Sequence, residues 1–520
     1  MERFDAPKLT QRITFQPSFI RNGLLFQMKD LKHKVIRGGV AKALAQGTGL
    51  VLRMGSLMVL ARLLAPKEFG LVAMVTAFTG VLNLFRDFGL STASVQRGHV
   101  TDEQISTLFW INILVGTVLA IILAGLAPFV AVFYHEPRLV WVSIILATSF
   151  IFNGAGVQHT ALLERQMRFT ALATIDIISL VVSTAIGIGM AATGFGYWSL
   201  VASAVTLPLV STLCLWFATG WRPGKIHLHE EVHSMLRFGG AFTLINLIVY
   251  VGYNLEKVLL GRYWGANALG LYGRGYQLIN LPTDNINSAF WGVAFSGLSR
   301  VRHEPARFRS YFLKGYSLVL ALTIPMTIGA ALFAHDMIFV LLGPKWNDVA
   351  GIFRFLAPTI LIFALINPLA WLTFSLGMIG RNLKIVLVLA PLVITGYVLG
   401  LPYGPKGVAI GYSAVMAIWC VPHIAWCVHG TVISLRDILV SVSRPFISGI
   451  VAGGIAWGVQ FFAGPSLLPL PRLLLEVAVL LGAYLGMLFY VMGQKEVYWN
   501  LLRGFRRSSS VETEDTLVPA

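Results

Sequence analysis

Charged residues are scarce in this chain. Aspartate, glutamate, lysine and arginine make up 12% of its 520 residues, whereas 56% are hydrophobic. This composition excludes a water-soluble protein, because too few charges remain to solvate a globular surface. The net charge of +17 does not indicate nucleic-acid binding, since the basic residues gather at the ends of apolar stretches and no loop is long enough for a soluble domain. That distribution is typical of membrane topology.

Cysteines and the motifs of common enzymes are also lacking. Cys214, Cys420 and Cys427 are not spaced as metal ligands or as a disulfide framework. The chain has no GxxxxGKS or GxxxxGKT sequence, and the glycines of GLYGRGY, which begins at Gly270, follow no predicted strand. No catalytic constellation stands out. We therefore predict a protein that is not an enzyme and holds no metal and no cofactor.

Apolar stretches long enough to cross a bilayer are abundant. About fourteen lie between Gly38 and Gly493, and segments such as Ile105–Phe133 and Leu473–Met492 contain few or no charges. A bilayer core requires roughly 20 apolar residues per helix, and backbone groups in lipid must bond within their own helix. The sequence predicts an all-α polytopic membrane protein with about fourteen transmembrane helices.

The basic residues orient these helices. If the N-terminus is cytoplasmic, the inner connections hold about three times as many lysines and arginines as the outer ones. We therefore predict a multi-pass protein of the cell (inner) membrane with both termini in the cytoplasm. Residues 1–37 form a basic N-terminal tail, and residues 496–520 form a C-terminal tail that we expect to be disordered.

The chain also repeats itself. Residues 36–71 align without a gap with residues 236–271, and the identities include Arg37 with Arg237, Gly39 with Gly239, Leu60 with Leu260, Arg62 with Arg262 and Gly70-Leu71 with Gly270-Leu271. An even number of spans separates the copies, which predicts two lobes related by a parallel pseudo-two-fold repeat, as in many transporters. We place the N-lobe at 38–230 (spans 1 to 6), the C-lobe at 231–430 (spans 7 to 12) and spans 13 and 14 at 431–495.

Spans 1, 2, 7 and 8 carry polar stripes. Lys42, Gln46, Gly49 and Arg53 are spaced to lie on one face of span 1. A cation near the bilayer centre costs roughly 2.5–3.5 kcal/mol on insertion scales, so it normally faces protein or a water-filled cavity. The polar residues of the other three spans are Thr76, Thr79, Asn83, Arg86 and Asp87, then Asn246, Tyr250, Tyr253 and Lys257, then Asn280, Thr283, Asp284, Asn287 and Trp291.

These stripes predict a central aqueous cavity between two lobes. Because the cations of the stripes outnumber the anions, we expect an anionic cargo, and we expect Pro282 to break or bend span 8. Local roles remain open for several charged residues: pairing at a helix end for Arg86 with Asp87, extension to the headgroups for Lys42, an interfacial position for Glu256 and Lys257, and an interhelical hydrogen bond for Asp176.

Three stretches carry a more specific signal: LARLLAPKEFGLVAMVTAFTGVLNLFRDFGLSTASVQR at 60–97, YNLEKVLLGRYWGANALGLYGRGYQLINLP at 253–282 and LLGPKWNDV at 341–349. They resemble bacterial polysaccharide exporters of the Wzx type, which belong to the multidrug/oligosaccharidyl-lipid/polysaccharide (MOP) flippase superfamily. The colanic-acid and teichuronic-acid exporter branch is the most similar. The resemblance covers residues 37–495.

The resemblance implies a flippase that exports undecaprenyl-pyrophosphate-linked oligosaccharide repeat units from the cytoplasmic to the outer leaflet, for lipopolysaccharide or exopolysaccharide synthesis. It implies two six-helix lobes around a V-shaped cavity that work by alternating access. The partners to expect are membrane lipid, the lipid-linked oligosaccharide, a coupling H⁺ or Na⁺, and a polysaccharide polymerase complex. The chain departs from the family at Glu256, where Asp is common, and at Ser296, where Pro is common and bends the helix.

The expected substrate-binding residues, for pyrophosphate or sugar, are Lys42, Gln46, Arg53, Asn83, Arg86, Asn246, Tyr253 and Lys257. Of these, Arg53, Lys42 and Arg86 should contact the pyrophosphate, because cationic side chains can replace its water. The expected coupling or gating residues are Asp87, Glu256, Asp284 and Pro282.

Three other functions remain open. A cation-coupled drug or metabolite antiporter would share the fold, but carboxylates should dominate its cavity. A membrane glycosyltransferase or polymerase would lengthen a product in purified membranes. A scaffold of a polysaccharide assembly complex would tolerate substitutions in the cavity. The expected excess of cations favours the flippase over the antiporter.

Overall fold

The computed structural model describes residues 46–86, 101–225, 230–463 and 467–496, and the regular structure in these ranges is helical. The first half contains helices α1 (46–63), α2 (Pro66–Asn83), α3 (Asp102–Tyr134), α4 (Leu139–Arg165), α5 (Phe169–Ala192) and α6 (Tyr197–Thr219). The second half contains α7 (Glu230–Arg300), α8 (Pro305–Leu332), α9 (Ala334–Leu342), α10 (Asn347–Leu356), α11 (Pro358–Ser375), α12 (Ile379–Gly400) and α13 (Gly404–Val428). Helices α14 (Leu435–Ala463) and α15 (Pro469–Gly486) follow.

Local sequence explains where α3 begins and ends. The Thr101 side chain accepts a hydrogen bond from the Gln104 backbone nitrogen, and the Gln104 side chain accepts one from the Thr101 backbone nitrogen at 3.1 Å. This reciprocal pair is a capping box, which satisfies two amides at the helix start. His135 follows the helix in the left-handed conformation (φ 57°), which is a common way for a helix to end.

Glycines allow neighbouring helices to pack with their backbones in contact. A Cβ atom added at Gly116 of α3 or at Gly154 of α4 would lie 2.6 Å from a carbonyl oxygen of the other helix. Gly400 of α12 and Gly407 of α13 face each other in the same way, at 2.2 Å. Small residues provide this close approach between helices in membranes, where the hydrophobic effect does not drive helices together.

Helix α7 contains two of the predicted spans in one run of 71 residues. The residue inside it with non-helical dihedral angles is Gly265 (φ 78°, ψ −177°), a combination that glycine adopts readily. The chain therefore breaks at Gly265 and not at Pro282. The backbone around Pro282 remains helical, and the Thr283 hydroxyl donates to the Ile279 carbonyl oxygen at 2.8 Å.

The described helices match the fourteen spans that the sequence predicts. Among the described residues, 9 helical runs are long and apolar enough to cross a membrane by length and composition, and one of them, Ile379–Val428, contains both α12 and α13. These runs correspond to ten of the predicted spans, and α1, α2 and the two segments of α7, which are not among the nine runs, correspond to the other four. These four are the spans that the sequence marks as polar, so their polar faces require protein or water beside them.

Helices α14 and α15 lie outside the repeat and pack on the second half. Gly449 of α14 leaves room for the side chain of Ile324 in α8. Arg472 of α15 forms a bidentate ion pair with Asp336 of α9, with an Nε to Oδ2 distance of 2.6 Å. The chain thus attaches its last two spans to the second half, and the proposed lobe limits remain predictions.

Candidate functional site

The two halves meet at one end of the bundle, through the start of α2 and the middle of α7. A Cβ atom added at Gly70 would lie 1.7 Å from the Ala266 carbonyl oxygen, and one added at Gly270 would lie 1.9 Å from the Pro66 carbonyl oxygen. In the sequence repeat, Pro66 corresponds to Ala266 and Gly70 to Gly270. Each half therefore presents the same two positions to the other, as across a two-fold axis. The parallel pseudo-two-fold repeat is confirmed, and we call this region the closed end.

Two repeat-related arginines connect the halves at the closed end. Arg62 donates to the Val340 carbonyl oxygen of α9 at 2.8 Å. Arg262 donates to Nδ1 of His135, between α3 and α4, at 2.9 Å, and its guanidinium lies over the Phe133 ring. Each arginine thus crosses to the opposite half. Their role was not predicted, although their identity at corresponding positions of the sequence repeat is a signal that could have indicated it.

A buried tryptophan completes the closure. Trp346 is fully buried, and its indole donates to the Ala61 carbonyl oxygen at 2.7 Å. Its ring packs edge-on against Phe69, 5.3 Å between centroids, and the Arg274 guanidinium lies 4.3 Å from the centre of the same Phe69 ring. Because these residues come from α1, α2, α7 and the turn before α10, both halves contribute to one packed seal.

A polar cavity of about 500 Å³ lies between the halves. It is bordered by the connection between α4 and α5, which is at the opposite end of those helices from the closed end. The structure brings the predicted residues Gln46, Arg53 and Asp284 together there, although Asp284 was expected to couple or gate rather than to line the cavity. The other polar lining residues are Thr160, Glu164, Asp176, Ser211, Asn285 and Ser288.

The charge balance of this cavity differs from the prediction. Its described lining contains one cation, Arg53, and three carboxylates, those of Glu164, Asp176 and Asp284. The expected excess of cations is therefore wrong for the described lining. The error has a structural reason: α4 and α5 also line the cavity, whereas the polar stripes singled out only spans 1, 2, 7 and 8. Within the described residues, Arg53 is exposed to the cavity and has no ion-pair partner.

Other predicted residues lie elsewhere. Arg86 donates to the Asn153 side-chain oxygen at 3.2 Å, and Asn83 donates to the Thr79 carbonyl oxygen of its own helix. Lys257 donates to the Asn254 side chain at 2.6 Å, and Tyr253 packs against the hydrophobic core. None of these four residues lines the described cavity. Lys42, Asp87 and the side chain of Asn246 are outside the described residues.

Glu256 occupies a different environment, inside the second half. Its side chain is fully buried, and neither carboxylate oxygen has a hydrogen-bond partner among the described residues. Burying an unpaired charge costs several kcal/mol. A group in this position is stable only when it is neutral or when a cation accompanies it.

The fold and the cavity together define a class of protein: a membrane transporter with two repeat-related lobes, closed at one end. The solved structure "Lipid II flippase MurJ, inward closed conformation" is similar, with a TM-score of 0.71 over 89% of this chain and 100% of that one. At 13% sequence identity this likeness shows the fold.

The chain belongs to the polysaccharide biosynthesis protein family, which matches residues 59–351. It is 26% identical to the teichuronic acid biosynthesis protein TuaB of Bacillus subtilis over 81% of this chain and 88% of that protein. It is 24% identical to the lipopolysaccharide biosynthesis protein WzxC of Escherichia coli over 75% of this chain and 80% of that protein. The resemblance to Wzx-type exporters of the MOP superfamily is confirmed.

Proposed function

We propose that this protein is a flippase that exports undecaprenyl-pyrophosphate-linked oligosaccharide from the cytoplasmic to the outer leaflet of the cell (inner) membrane. The observation that carries the proposal is the polar cavity between two repeat-related halves that seal against each other at one end. The fold of a lipid flippase and relatives named for surface-polysaccharide synthesis support it. In this reading the protein transports and does not catalyse a covalent reaction.

The closed end faces outward in this proposal. The positive-inside rule places both termini and the connection between α4 and α5 in the cytoplasm, so the cavity loads from the cytoplasmic side. Export then requires the contacts of Arg62, Arg262 and Trp346 to break while the inner ends of the lobes approach each other. A substrate promotes such a change only to the extent that it binds the second state more tightly than the first.

Arg53 is the proposed anchor for the pyrophosphate. Its guanidinium keeps its charge and presents several donors to phosphate oxygens. Gln46, Asn285 and Ser288 offer hydrogen bonds to sugar hydroxyls in the same cavity, and the polyprenyl chain remains in lipid between the lobes. The nearby carboxylates would repel the pyrophosphate when ionised, so they must take up protons or cations as it enters.

Glu256 is the proposed coupling residue. Because its side chain is buried without a hydrogen-bond partner among the described residues, the ionised carboxylate is strongly disfavoured unless it binds a proton or a Na⁺ ion. Asp284 in the cavity and Asp87 are the alternatives for this role. A coupling ion would supply the driving force, since the chain itself contains no ATP-binding motif.

A second candidate function is a cation-coupled drug or metabolite antiporter. Three carboxylates against one arginine in the described lining favour it, because acidic cavities attract organic cations. Measuring the leaflet accessibility of the lipid-linked oligosaccharide in cells depleted of the protein separates the two. Accumulation on the cytoplasmic side supports the flippase. Normal outer exposure, with retention of a fluorescent organic cation, supports the antiporter.

A further inference from the structure

A second pocket lies at the closed end and is not part of the main cavity. Its volume is about 510 Å³, and it opens to the surface. Residues 63–71 form one wall, Arg138 and residues 194–197 form another, and Lys345 reaches it from the second half of the chain. The pocket is therefore built by four connections between helices, and both lobes contribute to it.

Three cations line this pocket: Lys67, Arg138 and Lys345. Arg138 is exposed, and its guanidinium has no hydrogen bond or ion pair within the described residues. Lys67 lies 3.7 Å from the Glu136 carboxylate, and both side chains remain partly exposed. Lys345 donates only a long bond, 3.4 Å, to the Arg62 carbonyl oxygen. All three side chains therefore retain N–H groups that can donate hydrogen bonds to a bound anion.

The acidic residue of the pocket is held by its own helix. Glu68 accepts a hydrogen bond from the Ala65 backbone nitrogen at 2.7 Å, at the start of α2. Gly196 has a positive φ of 57°, and a Cβ atom there would come within 2.5 Å of the Glu68 carboxylate. The loop at 194–197 thus packs directly on this carboxylate, which is the one anion beside three cations in the described lining.

We infer that this pocket is a binding site for a phosphate or pyrophosphate group, shared by the two lobes at the outer surface. Cationic side chains converging from different directions suit a multiply charged oxyanion. Because Lys345 belongs to one lobe and Lys67 and Arg138 to the other, a bound phosphate stabilises the state in which the outer ends are together. The inference does not depend on which cargo the main cavity carries.

The test uses the full protein in nanodiscs of zwitterionic lipid, with inorganic pyrophosphate as the probe and calorimetry as the readout. We expect saturable binding that Arg138→Gln and Lys345→Gln each weaken about tenfold. Lys406→Gln is the matched control, because this lysine is exposed but does not line the pocket, and it should bind like the wild type. Absence of saturable binding, or equal binding by all four proteins, would overturn the inference.

A second set of nanodiscs identifies the source of the phosphate. If a lipid headgroup occupies the pocket, adding phosphatidylglycerol lowers the apparent affinity of the wild type for pyrophosphate and leaves Arg138→Gln unchanged. If a soluble phosphate is the ligand, phosphatidylglycerol does not compete.

The effect on conformation is measured with spin labels at Thr193→Cys and Tyr403→Cys, one exposed position beside each lobe's outer connections. Pyrophosphate should increase the population with the short distance between the two labels in the wild-type pocket. It should not do so in a protein that also carries Arg138→Gln. An unchanged distance distribution at saturating pyrophosphate would refute stabilisation of the closed end.

Discussion

Arg53 shares its cavity with three carboxylates in the described lining, so its charge is the local attraction for an anion. Its position on α1 follows from the spacing of Gln46, Gly49 and Arg53 along one helical face. The sequence could predict this placement because a cation inside an apolar span has few alternatives. It could not predict the acids opposite, since Glu164 is close to a helix end and Asp176 is a single charged residue within the apolar sequence of α5.

We predict that Arg53→Ala slows export of the lipid-linked oligosaccharide about tenfold or more, since a hydrogen bond to a charged group contributes about 1.5–3 kcal/mol. Arg53→Lys should retain part of the rate because the charge remains. Arg222→Ala, an exposed arginine that does not line the cavity, serves as control. Equal export by Arg53→Ala and Arg222→Ala at matched expression would remove Arg53 from the mechanism.

Glu256 gives a second prediction at this scale. Glu256→Gln should abolish the dependence of the export rate on an imposed H⁺ or Na⁺ gradient, because the buried group can no longer change its charge. Glu256→Asp should retain that dependence. Rates of reconstituted protein with and without each gradient provide the measurement. A Gln variant that still responds to the same gradient would assign coupling to another carboxylate.

Helices α2 and α7 close one end of the bundle through contacts between repeat-related positions. The alignment of residues 36–71 with 236–271 shows which positions correspond. In the structure, Gly70 packs against the Ala266 carbonyl and Gly270 packs against the Pro66 carbonyl, and these two contacts correspond in the repeat. Sequence could not show that these helices cross there, because Gly70 and Gly270 differ from other glycines only through their contacts. It also could not place the break of α7 at Gly265, whereas Pro282 is the conventional helix breaker.

We predict that Gly70→Ala and Gly270→Ala each prevent full closure, because a methyl group at either site would meet a backbone carbonyl below 2 Å. The spin-label pair on Thr193→Cys and Tyr403→Cys should then report longer distances in both variants. Gly273→Ala is the control, since its added Cβ would have no neighbour within 4 Å. Closure like that of the wild type in both variants would show that the crossing is not required.

The arginines of the closed end should behave as a pair. Arg62→Gln and Arg262→Gln each remove one bond between the lobes, so each should increase labelling of an outer cysteine, and the double variant should increase it further. We do not expect the closed end to open completely in these variants, because the contacts of Trp346 with Ala61 and Phe69 remain. If only one of the two variants changes the labelling, the two arginines do not contribute equally to closure, despite their corresponding positions in the repeat.

At the scale of the whole molecule, the two halves are sealed on one side and separated by a polar cavity on the other. Composition alone predicted fourteen spans, and the four that are not among the nine long apolar runs of the described residues are those of α1, α2 and α7. The direction of opening and the charge of the cavity depend on tertiary contacts that hydropathy does not encode. The structure shows the direction of opening and the cavity charge in one conformation, whereas transport by alternating access requires at least two conformations.

The most direct measurement follows a labelled undecaprenyl-pyrophosphate oligosaccharide in vesicles that contain the purified protein. An impermeant enzyme that cleaves the exposed saccharide reports which leaflet the lipid occupies. We predict transfer between leaflets with the wild type and about tenfold slower transfer with Arg53→Ala. Transfer no faster than in protein-free vesicles, together with uptake of an organic cation, would contradict the flippase and identify the antiporter.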